Sequence, residues 1–502
     1  MTGIALWVLA ALVALLLAGV LGLWATGRFA RLRRGRPSRV LRAGRTTALD
    51  QLAAAPAPGL SGARLVEDGP EALALRLAMT RLAGRSLDLL YYIWDDDLTG
   101  RLLAQELLAA ADRGVRVRLL LDDVNVLGRD PIYRTLDRHP RIEVRLFNPI
   151  RSRERGFLRG VEVLLAFLPY NRRMHGKLWL ADGRLALLGG RNVGDTYFGA
   201  QAGGGYHDLD LLAAGAVLAP LGALFDRFWN SDVAMPIRLL WPKTTGRLSR
   251  IRTRLARRLA APSAQERLAA LALPDPEADS STLGLARLHW SRHLTPLGDP
   301  PEKSLGAARD GWLPAALIPM LRRARQRVRI MTPYFVPGRQ GMEELIALRR
   351  AGVEVEVLTN GLALSDNPLV HSAYLWYRAR LLSQGVRLIE LAPGPDGKRM
   401  LHGKALMIDG AEAFVGSFNF DLRSAFLNTE TGLLFQDPPL LAELAALFDR
   451  LSAPDSAWHL SFDAGRIRWQ RGARTCLYEP DSTAPRRVLS WLIGHLPIHR
   501  LL

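Results

Sequence analysis

Cysteine is nearly absent: Cys476 is the single one in 502 residues. No disulfide can close within the chain, so a packed core must hold it together. Acid is scarce relative to base, with 48 Asp and Glu against 67 Lys and Arg, a net charge of +19. That balance excludes an acidic, solvating chain and points to a polyanionic surface, either nucleic acid or anionic lipid. Charge of any kind is missing from Ile4 to Ala25, 22 residues in a row. A helix of that length can cross a hydrocarbon core of about 30 Å, and Trp7 and Trp24 lie near its two ends, where indole rings favour the interface. No Lys or Arg precedes this run, and eight Arg with no acid follow between Arg28 and Arg45. The positive-inside rule then predicts an outside N-terminus and a cytoplasmic body. A cleaved signal peptide is disfavoured, because a basic n-region and a small-x-small cleavage site are both missing. The remainder of the chain is basic too, which suits an anionic leaflet.

The rest of the chain is written twice. "EALALRLAMTRLAGR" has helical spacing, "SLDLLYYIW" reads as a buried strand, "TGRLLAQELLAAADRG" as a helix stopping at Gly114, and "VRVRLLL" as a strand. Further on, "LPAALIPMLRRARQ", "RVRIMTPYFV", "GMEELIALRRAG" and "VEVEVLT" repeat that order, with a stop at Gly352. Another strand follows in each half, "RIEVRLF" and "GVRLIEL". The order predicts βαβ units and a parallel-rich sheet in each half, a duplicated α/β fold. The expected boundaries are a membrane helix at 1–26, a basic juxtamembrane linker at 27–59, a first half at 60–240, a connector at 241–310, a second half at 311–460 and a tail at 461–502. The connector opens with seven basic residues from Lys243 to Arg258, with Leu248, Ile251, Leu255 and Leu259 at helical spacing. This segment reads either as a basic amphipathic helix on lipid or as a solvated linker helix. "PDPEADSSTLG" after it reads as loop. The tail "RRVLSWLIGHLPIHRLL" is apolar and basic, made either to touch a membrane or to pack on the body.

Within the repeat lies a doubled device. "MHGKLWLADGRLALLGGRN" starts at Met174, and "LHGKALMIDGAEAFVGSFN" starts at Leu401. Strand alternation puts His175 and Lys177 on one face, and His402 and Lys404 likewise. Asp182-Gly183 and Asp409-Gly410 are hairpin-turn dipeptides. The hairpins bring Gly190 and Asn192, and Ser417 and Asn419, back beside the His and Lys, so imidazole, ammonium and amide converge as a phosphate would require.

Two facing copies fit a phosphodiester, which must be attacked at phosphorus and protonated at the leaving oxygen. One neutral His can attack while the other, protonated, gives up its proton, and two Lys and two Asn steady the phosphoryl oxygens. The ammonium groups supply the charge that a metal supplies elsewhere, so no metal or cofactor is expected. Lys is a poor metal ligand, and His207 is better placed as a loop residue. A nucleophilic His needs its far nitrogen held by an acceptor. Glu430 lies 28 residues after His402, and aligning Leu211-Leu212 with Leu433-Leu434 pairs it with Asp208, making both candidate orienting carboxylates. The catalytic set is therefore His175, Lys177, Asp182, His402, Lys404 and Asp409, with the two aspartates assigned to the turns. The glycines of "YFGAQAGGGYHDL" predict a mobile lid beside Asp208.

The doubled HxKxxxxD with its GG or GS-x-N loop resembles the phospholipase D superfamily over about residues 60–450. More closely, "YYIWDDDLTGRLL", "NRRMHGK", "GGRNVGDTYF", "TPYFVPG" and "GSFNFDLRSAFLNTE" are similar to its bacterial cardiolipin synthases of the C type. That resemblance implies two pseudo-symmetric α/β/α halves sharing one active site, and phosphatidyl transfer through a phosphohistidine. It gives the nucleophile's role to the N-terminal His, here His175, and the acid's to His402. Its implied partners are membrane phospholipids, with phosphatidylglycerol as acceptor and a glycerol- or ethanolamine-bearing lipid as donor, and no nucleic acid. The expected location is the bacterial inner membrane, single-pass. Copy one departs from copy two in carrying Gly190 where Ser417 stands. A hydrolytic phospholipase D, a nuclease of the superfamily and a catalytically dead tether are the competing readings, and the apolar run with its Arg collar argues against the nuclease.

Overall fold

The computed structural model describes residues 2–30, 35–153, 157–165, 167–201, 203–241, 246–273, 280–307, 309–394 and 398–494. Part of the Arg collar (31–34), the start of the basic connector (242–245), most of its acidic loop (274–279) and the tail beyond 494 lie outside them.

The first half folds around a nine-stranded sheet. In chain order its strands are β1 (Ser61–Val66), β2 (Ser86–Tyr91), β3 (Arg116–Asp122), β4 (Ile142–Phe147), β5 (Leu178–Ala181), β6 (Leu185–Gly189), β8 (Asp210–Gly215), β9 (Ala234–Pro236) and β10 (His289–Ser291), while β7 (Gly204–His207) stands outside it. Across the sheet they run β10-β1-β8-β6-β5-β2-β3-β4-β9. The second half contains β11 (Leu294–Gly298), β12 (Arg327–Met331), β13 (Phe335–Val336), β14 (Glu354–Asn360), β15 (Arg387–Leu391), β16 (Lys398–Leu401), β17 (Ala405–Ile408), β18 (Glu412–Gly416), β19 (Phe420–Asp421), β20 (Thr431–Phe435), β21 (Ala457–Asp463), β22 (Arg466–Arg471) and β23 (Arg474–Cys476). Its sheet runs β11-β20-β18-β17-β12-β14-β15-β21-β22-β23.

The run from β1 to β9 in the first sheet repeats strand for strand from β11 to β21 in the second. Only three strands in each are mutually parallel, β2-β3-β4 and β12-β14-β15, and the flanking pairs are antiparallel. The sheets are therefore mixed rather than parallel-rich: the short turn of each motif hairpin permits only antiparallel pairing, and the strands at the ends of the repeated run, distant in the chain from their partners, also pair antiparallel. The expected connector is not a simple linker: β10 closes the first sheet and β11 opens the second.

Local signals account for the elements. Asp97 accepts from the Gly100 amide at 3.0 Å to cap the helix Leu98–Asp112, and Gly114 and Gly352, at φ +96° and +87°, stop the equivalent helices in the two halves. Period-2 burial divides the apolar side chains: Leu87, Leu89 and Tyr91 face an outer core, and Leu90 faces a central one. That central core joins the halves, combining Leu178, Leu188 and Leu211 with Met331, Met407 and Leu433, together with Phe225 and Phe448 from helices Leu218–Trp229 and Pro438–Leu451. The site forms at this seam.

The basic connector helix Leu248–Leu259 buries Leu255 and Leu259 and pairs Arg252 with Asp112 at 2.6 Å. Its apolar edge is thus spent on the body, as the linker reading requires. At the N-terminus, Thr2–Ala30 is one 29-residue helix, with Leu6, Trp7, Leu12 and Leu16 exposed. Among the described residues no helix is long and apolar enough to cross a membrane.

Candidate active site

Each motif is a hairpin hung on its own turn. Asp182 and Gly183 adopt φ +53° and +64°, and Asp409 and Gly410 +54° and +64°, the left-handed pair that a tight hairpin turn demands. Asp182 accepts backbone amides of Gly84, Arg85 and Ser86 at 2.7–2.9 Å. Asp409 accepts those of Arg325, Gln326 and Arg327 at 2.8 Å. Five residues at about 3.3 Å each put Asp182 roughly 16 Å along the hairpin from Lys177. The motif aspartates therefore hold the hairpins and stand away from the reacting centre.

At the other end the halves exchange partners. His175 Nδ1 lies 2.8 Å from Glu430 Oε2, and His402 Nδ1 lies 2.5 Å from Asp208 Oδ2. The backbone repeats the exchange. Thr429 O accepts from the amides of His175 and Gly176 at 2.9 and 3.1 Å, and His207 O accepts from those of His402 and Gly403 at 2.7 and 2.9 Å. Each imidazole is therefore gripped by the residue pair 429–430 or 207–208 of the opposite half. With Nδ1 occupied, Nε2 is the nitrogen left for chemistry on His175, and on His402 it lies 3.3 Å from the Lys404 ammonium. Each Lys ammonium reaches back to the carbonyl of its own motif His, Lys177 to His175 and Lys404 to His402.

Burial sets the electrostatics. Both imidazoles are pushed down to about 4, chiefly by desolvation, which Glu430 and Asp208 oppose. Desolvation also brings Lys177 down to about 7 and Lys404 to about 8, even though carboxylates of both halves hold charge on them. Burial raises Asp208, but the His402 imidazole and Lys404 outweigh it and hold its carboxyl well below the usual range. Glu430 is lowered in the same way, with burial outweighed by His175, Lys177 and the Ser417 hydroxyl. The ligand-free site thus keeps two carboxylates ionised, two imidazoles neutral and two ammonium groups easily discharged.

The phosphate-binding candidates are not equivalent. The Ser417 hydroxyl donates to Glu430 Oε2 at 2.5 Å. Gly190 has no room for such a group, since a Cβ there would lie 2.1 Å from Asp208 Oδ1. Asn192 is already engaged, accepting from the Ile93 amide at 3.1 Å and donating to the Tyr197 hydroxyl at 2.8 Å. Asn419 is buried with no hydrogen bond to its Oδ1.

Several residues that pattern-reading missed complete the site. Tyr206 stacks on His402, with centroids 4.9 Å apart and planes at 13°, while Tyr197 meets the same ring edge-on at 5.3 Å. Tyr92 meets His175 edge-on at 5.0 Å. Ser424 donates to Glu430 Oε1 at 2.8 Å, and Asp299, paired with Lys303, accepts the Glu430 amide. The segment expected to be a lid is instead partly strand: β7 pairs in parallel with β16 of the other half and carries Tyr206 onto His402. The "YFGAQAGGGYHDL" pattern gave no sign of that partner, because β16 is nearly 200 residues away.

These features define an enzyme built from two phospholipase D-like halves. The chain matches the family described as "Cardiolipin synthase, PLD-like domain" over residues 77–204 and again over 317–452, and it belongs to that family. It is 39% identical over 471 residues to cardiolipin synthase C of Escherichia coli, covering 89% of this chain and 97% of that one. It is 25% identical over 419 residues to cardiolipin synthase A of Salmonella arizonae, covering 83% and 74%. Among solved structures, phosphatidylserine synthase of Haemophilus influenzae superposes with a TM-score of 0.59 at 14% identity, over 96% of this chain and 98% of that one, a likeness of fold alone. The family is a class of phosphatidyltransferases of the phospholipase D type.

Proposed function

We propose that this protein is a cardiolipin synthase that moves a phosphatidyl group through a phosphohistidine to phosphatidylglycerol. The observation that carries the reading is the exchange at the seam, His175 on Glu430 and His402 on Asp208, which makes one site from two half-sites. Neutral His175 Nε2 attacks phosphorus, the bond to the head-group oxygen breaks, and His402 delivers a proton to that oxygen. His402 then takes the proton of the acceptor hydroxyl, whose oxygen attacks phosphorus and releases His175. The entering phosphodiester is an anion set between Lys177 and Lys404, so it raises the basicity of both imidazoles and lets His402 carry the proton it must give. Glu430 and Asp208 fix the tautomers, and Asn192, already bonded at both ends of its amide, is the less available of the two amides. The donor is phosphatidylglycerol or phosphatidylethanolamine.

The helix Thr2–Ala30 is proposed to anchor the enzyme in the bacterial inner membrane, with an outside N-terminus and a cytoplasmic body. Support comes from the 22 uncharged residues and the eight Arg that follow. Labelling of Cys476 by an impermeant thiol reagent in intact cells would overturn this topology.

The test of chemistry is to incubate purified protein with labelled phosphatidylglycerol, alone and with phosphatidylethanolamine, and resolve the lipids. Cardiolipin as the main labelled product supports the transferase. Phosphatidic acid as the sole labelled product at every composition makes water the acceptor and the enzyme a hydrolytic phospholipase D.

A further inference from the structure

The helix Ala484–Gly494 wears its amphipathicity inside out. A helix on a protein surface ordinarily buries its apolar stripe and exposes its polar one. Here Ser490 is buried, its hydroxyl 3.2 Å from that of Ser372. Arg486 also turns inward, donating to the Ser365 carbonyl, and Gly494 packs beside Leu375. Val488, Leu489, Trp491 and Leu492 face outward at 57%, 49%, 57% and 52% exposure. The helix lies on Pro368–Ser383, where Leu369 and Trp376 flank Ser372 at helical spacing and are themselves exposed. Leu477 and Tyr478, also exposed, lead into it, and the Arg487 guanidinium sits 5.1 Å from the Tyr478 ring. Aliphatic, aromatic and Arg side chains on one outward face have the composition of a helix that lies at a lipid interface.

The patch adjoins two cavities that together reach the residues flanking Asn419. Trp376 lines a cavity of about 360 Å³ with Arg339, Arg380 and Leu422. Leu422 also lines a larger, mainly apolar cavity of about 400 Å³, whose wall includes Phe418 and Phe420, the residues on either side of Asn419. On its other side the helix grips the Ser365 carbonyl, next to Asp366, which accepts the Tyr334 hydroxyl at 2.7 Å.

We infer that helix Ala484–Gly494, with the Leu369–Trp376 stripe beneath it, is a membrane-docking face. It seats at the boundary between head groups and acyl chains of an anionic phospholipid bilayer and opens the Trp376–Leu422 cavities toward lipid. The inference rests on the phospholipid reading of the site. The occupant follows from the Arg and aromatic rim, the basic balance of the whole chain and the two cavities that share Leu422 between Trp376 and the loop that carries Asn419.

The experiment uses the full chain with Cys476→Ser, adding either Leu492→Cys or, as an exposed reference on another surface, Glu266→Cys. Each thiol carries an environment-sensitive fluorophore, and the protein is reconstituted into phosphatidylcholine vesicles with and without phosphatidylglycerol. Blue-shifted emission at 492, quenched at least about twofold by doxyl-labelled lipid and strongest with phosphatidylglycerol, with no such change at 266, is the expected result. Water-like emission at 492 overturns the inference. So does a blue shift without lipid quenching, which means that a second copy of the chain covers the helix. In a second arm, the Val488→Glu, Leu492→Glu double variant should raise KM for vesicle lipid about fivefold or more and leave turnover of dispersed short-chain lipid intact. Equal loss on both substrates would overturn docking. Quenching reads position rather than turnover, so a failure of the transferase reading would leave the fluorescence result standing.

Discussion

Gly190 lies directly under Asp208: a Cβ on the glycine would come within 2.1 Å of Asp208 Oδ1. The second half has the opposite solution, in which Ser417 occupies the equivalent loop and gives its hydroxyl to Glu430. The two half-sites therefore hold their orienting carboxylates by different means. Gly190→Ser should push Asp208 off His402 and cut turnover by about 10²–10⁴-fold, the worth of acid–base assistance. Ser417→Gly removes one of several partners of Glu430 and should cost only about tenfold. Turnover of labelled lipid measures both, and a Gly190→Ser enzyme near wild-type rate would contradict the packing.

Exchange across the seam predicts which histidine each carboxylate controls. His175→Ala and His402→Ala should each abolish turnover. Asp208→Asn and Glu430→Gln should each lower it about 10–100-fold. In ring-proton spectra, Asp208→Asn should perturb His402 and spare His175, with Glu430→Gln doing the reverse. Asp208 opposes the lowering of the His402 pKa, so its removal should lower that pKa further. A change at the histidine of the same half would refute the crossed arrangement.

Activity should have a bell-shaped pH dependence in kcat/KM, which reports the free enzyme. Protonation of the attacking imidazole, at about 4, sets the acid limb. His402 must carry the proton it gives, and it sits at about 4 in the free enzyme, so kcat/KM should fall as pH rises above that value. Discharge of Lys177 at about 7 and of Lys404 at about 8 steepens the fall as the site loses its grip on phosphate. Lys177→Arg, whose charge persists, should extend the alkaline limb even if it lowers the maximum.

Stability carries the same groups with a defined sign. Both imidazoles sit at about 4 in the folded protein against 6.5 as the ordinary value. Between those values they bind more protons in the unfolded chain than in the folded one, so their contribution to stability rises with pH from about 4 to about 6.5. The lowered Glu430 and Asp208 act in the same direction at the acid end. Four carboxylates that burial raises to about 6, Asp123, Asp137, Asp299 and Asp421, act in the opposite direction over most of this window. The histidines are therefore read by difference: in detergent, Tm should rise less or fall more with pH in a His175→Gln, His402→Gln double variant than in wild type. The same dependence of Tm on pH in wild type and double variant would refute the buried, neutral histidines.

The turn aspartates should matter to folding before chemistry. Asp409→Ala strips an acceptor from three backbone amides at an exposed turn, where water can replace it, at about 0.5–1.5 kcal/mol for each hydrogen bond lost. The expected outcome is a lowered Tm with residual activity in the cold, whereas His402→Ala should lose activity at nearly unchanged Tm. Turnover of the wild type and of Asp409→Ala should survive EDTA to the same degree, since the charge on phosphate comes from ammonium groups.

The amino-acid sequence by itself determined the hairpins. Asp182-Gly183 and Asp409-Gly410 are local turn chemistry, the apolar runs Leu178–Ala181 and Ala405–Ile408 are local too, and the period of two along an extended chain puts each His and Lys on one face. It also placed Asp208 and Glu430 at matched positions, because two copies of one pattern can be aligned. Only the tertiary structure decided whom they serve. His175 and Glu430 are 255 residues apart, and His402 and Asp208 are 194 apart. The same holds for Tyr206, brought onto His402 by β7 pairing with β16, and for the connector helix, which spends Leu255 and Leu259 on the body. It holds again for Ser490, buried where its neighbours Leu489 and Trp491 are exposed. Spacing along a chain encodes which residues share a face of one element. Which face meets which is set by how two sheets and their helices fill a common core, a long-range condition that no local pattern carries.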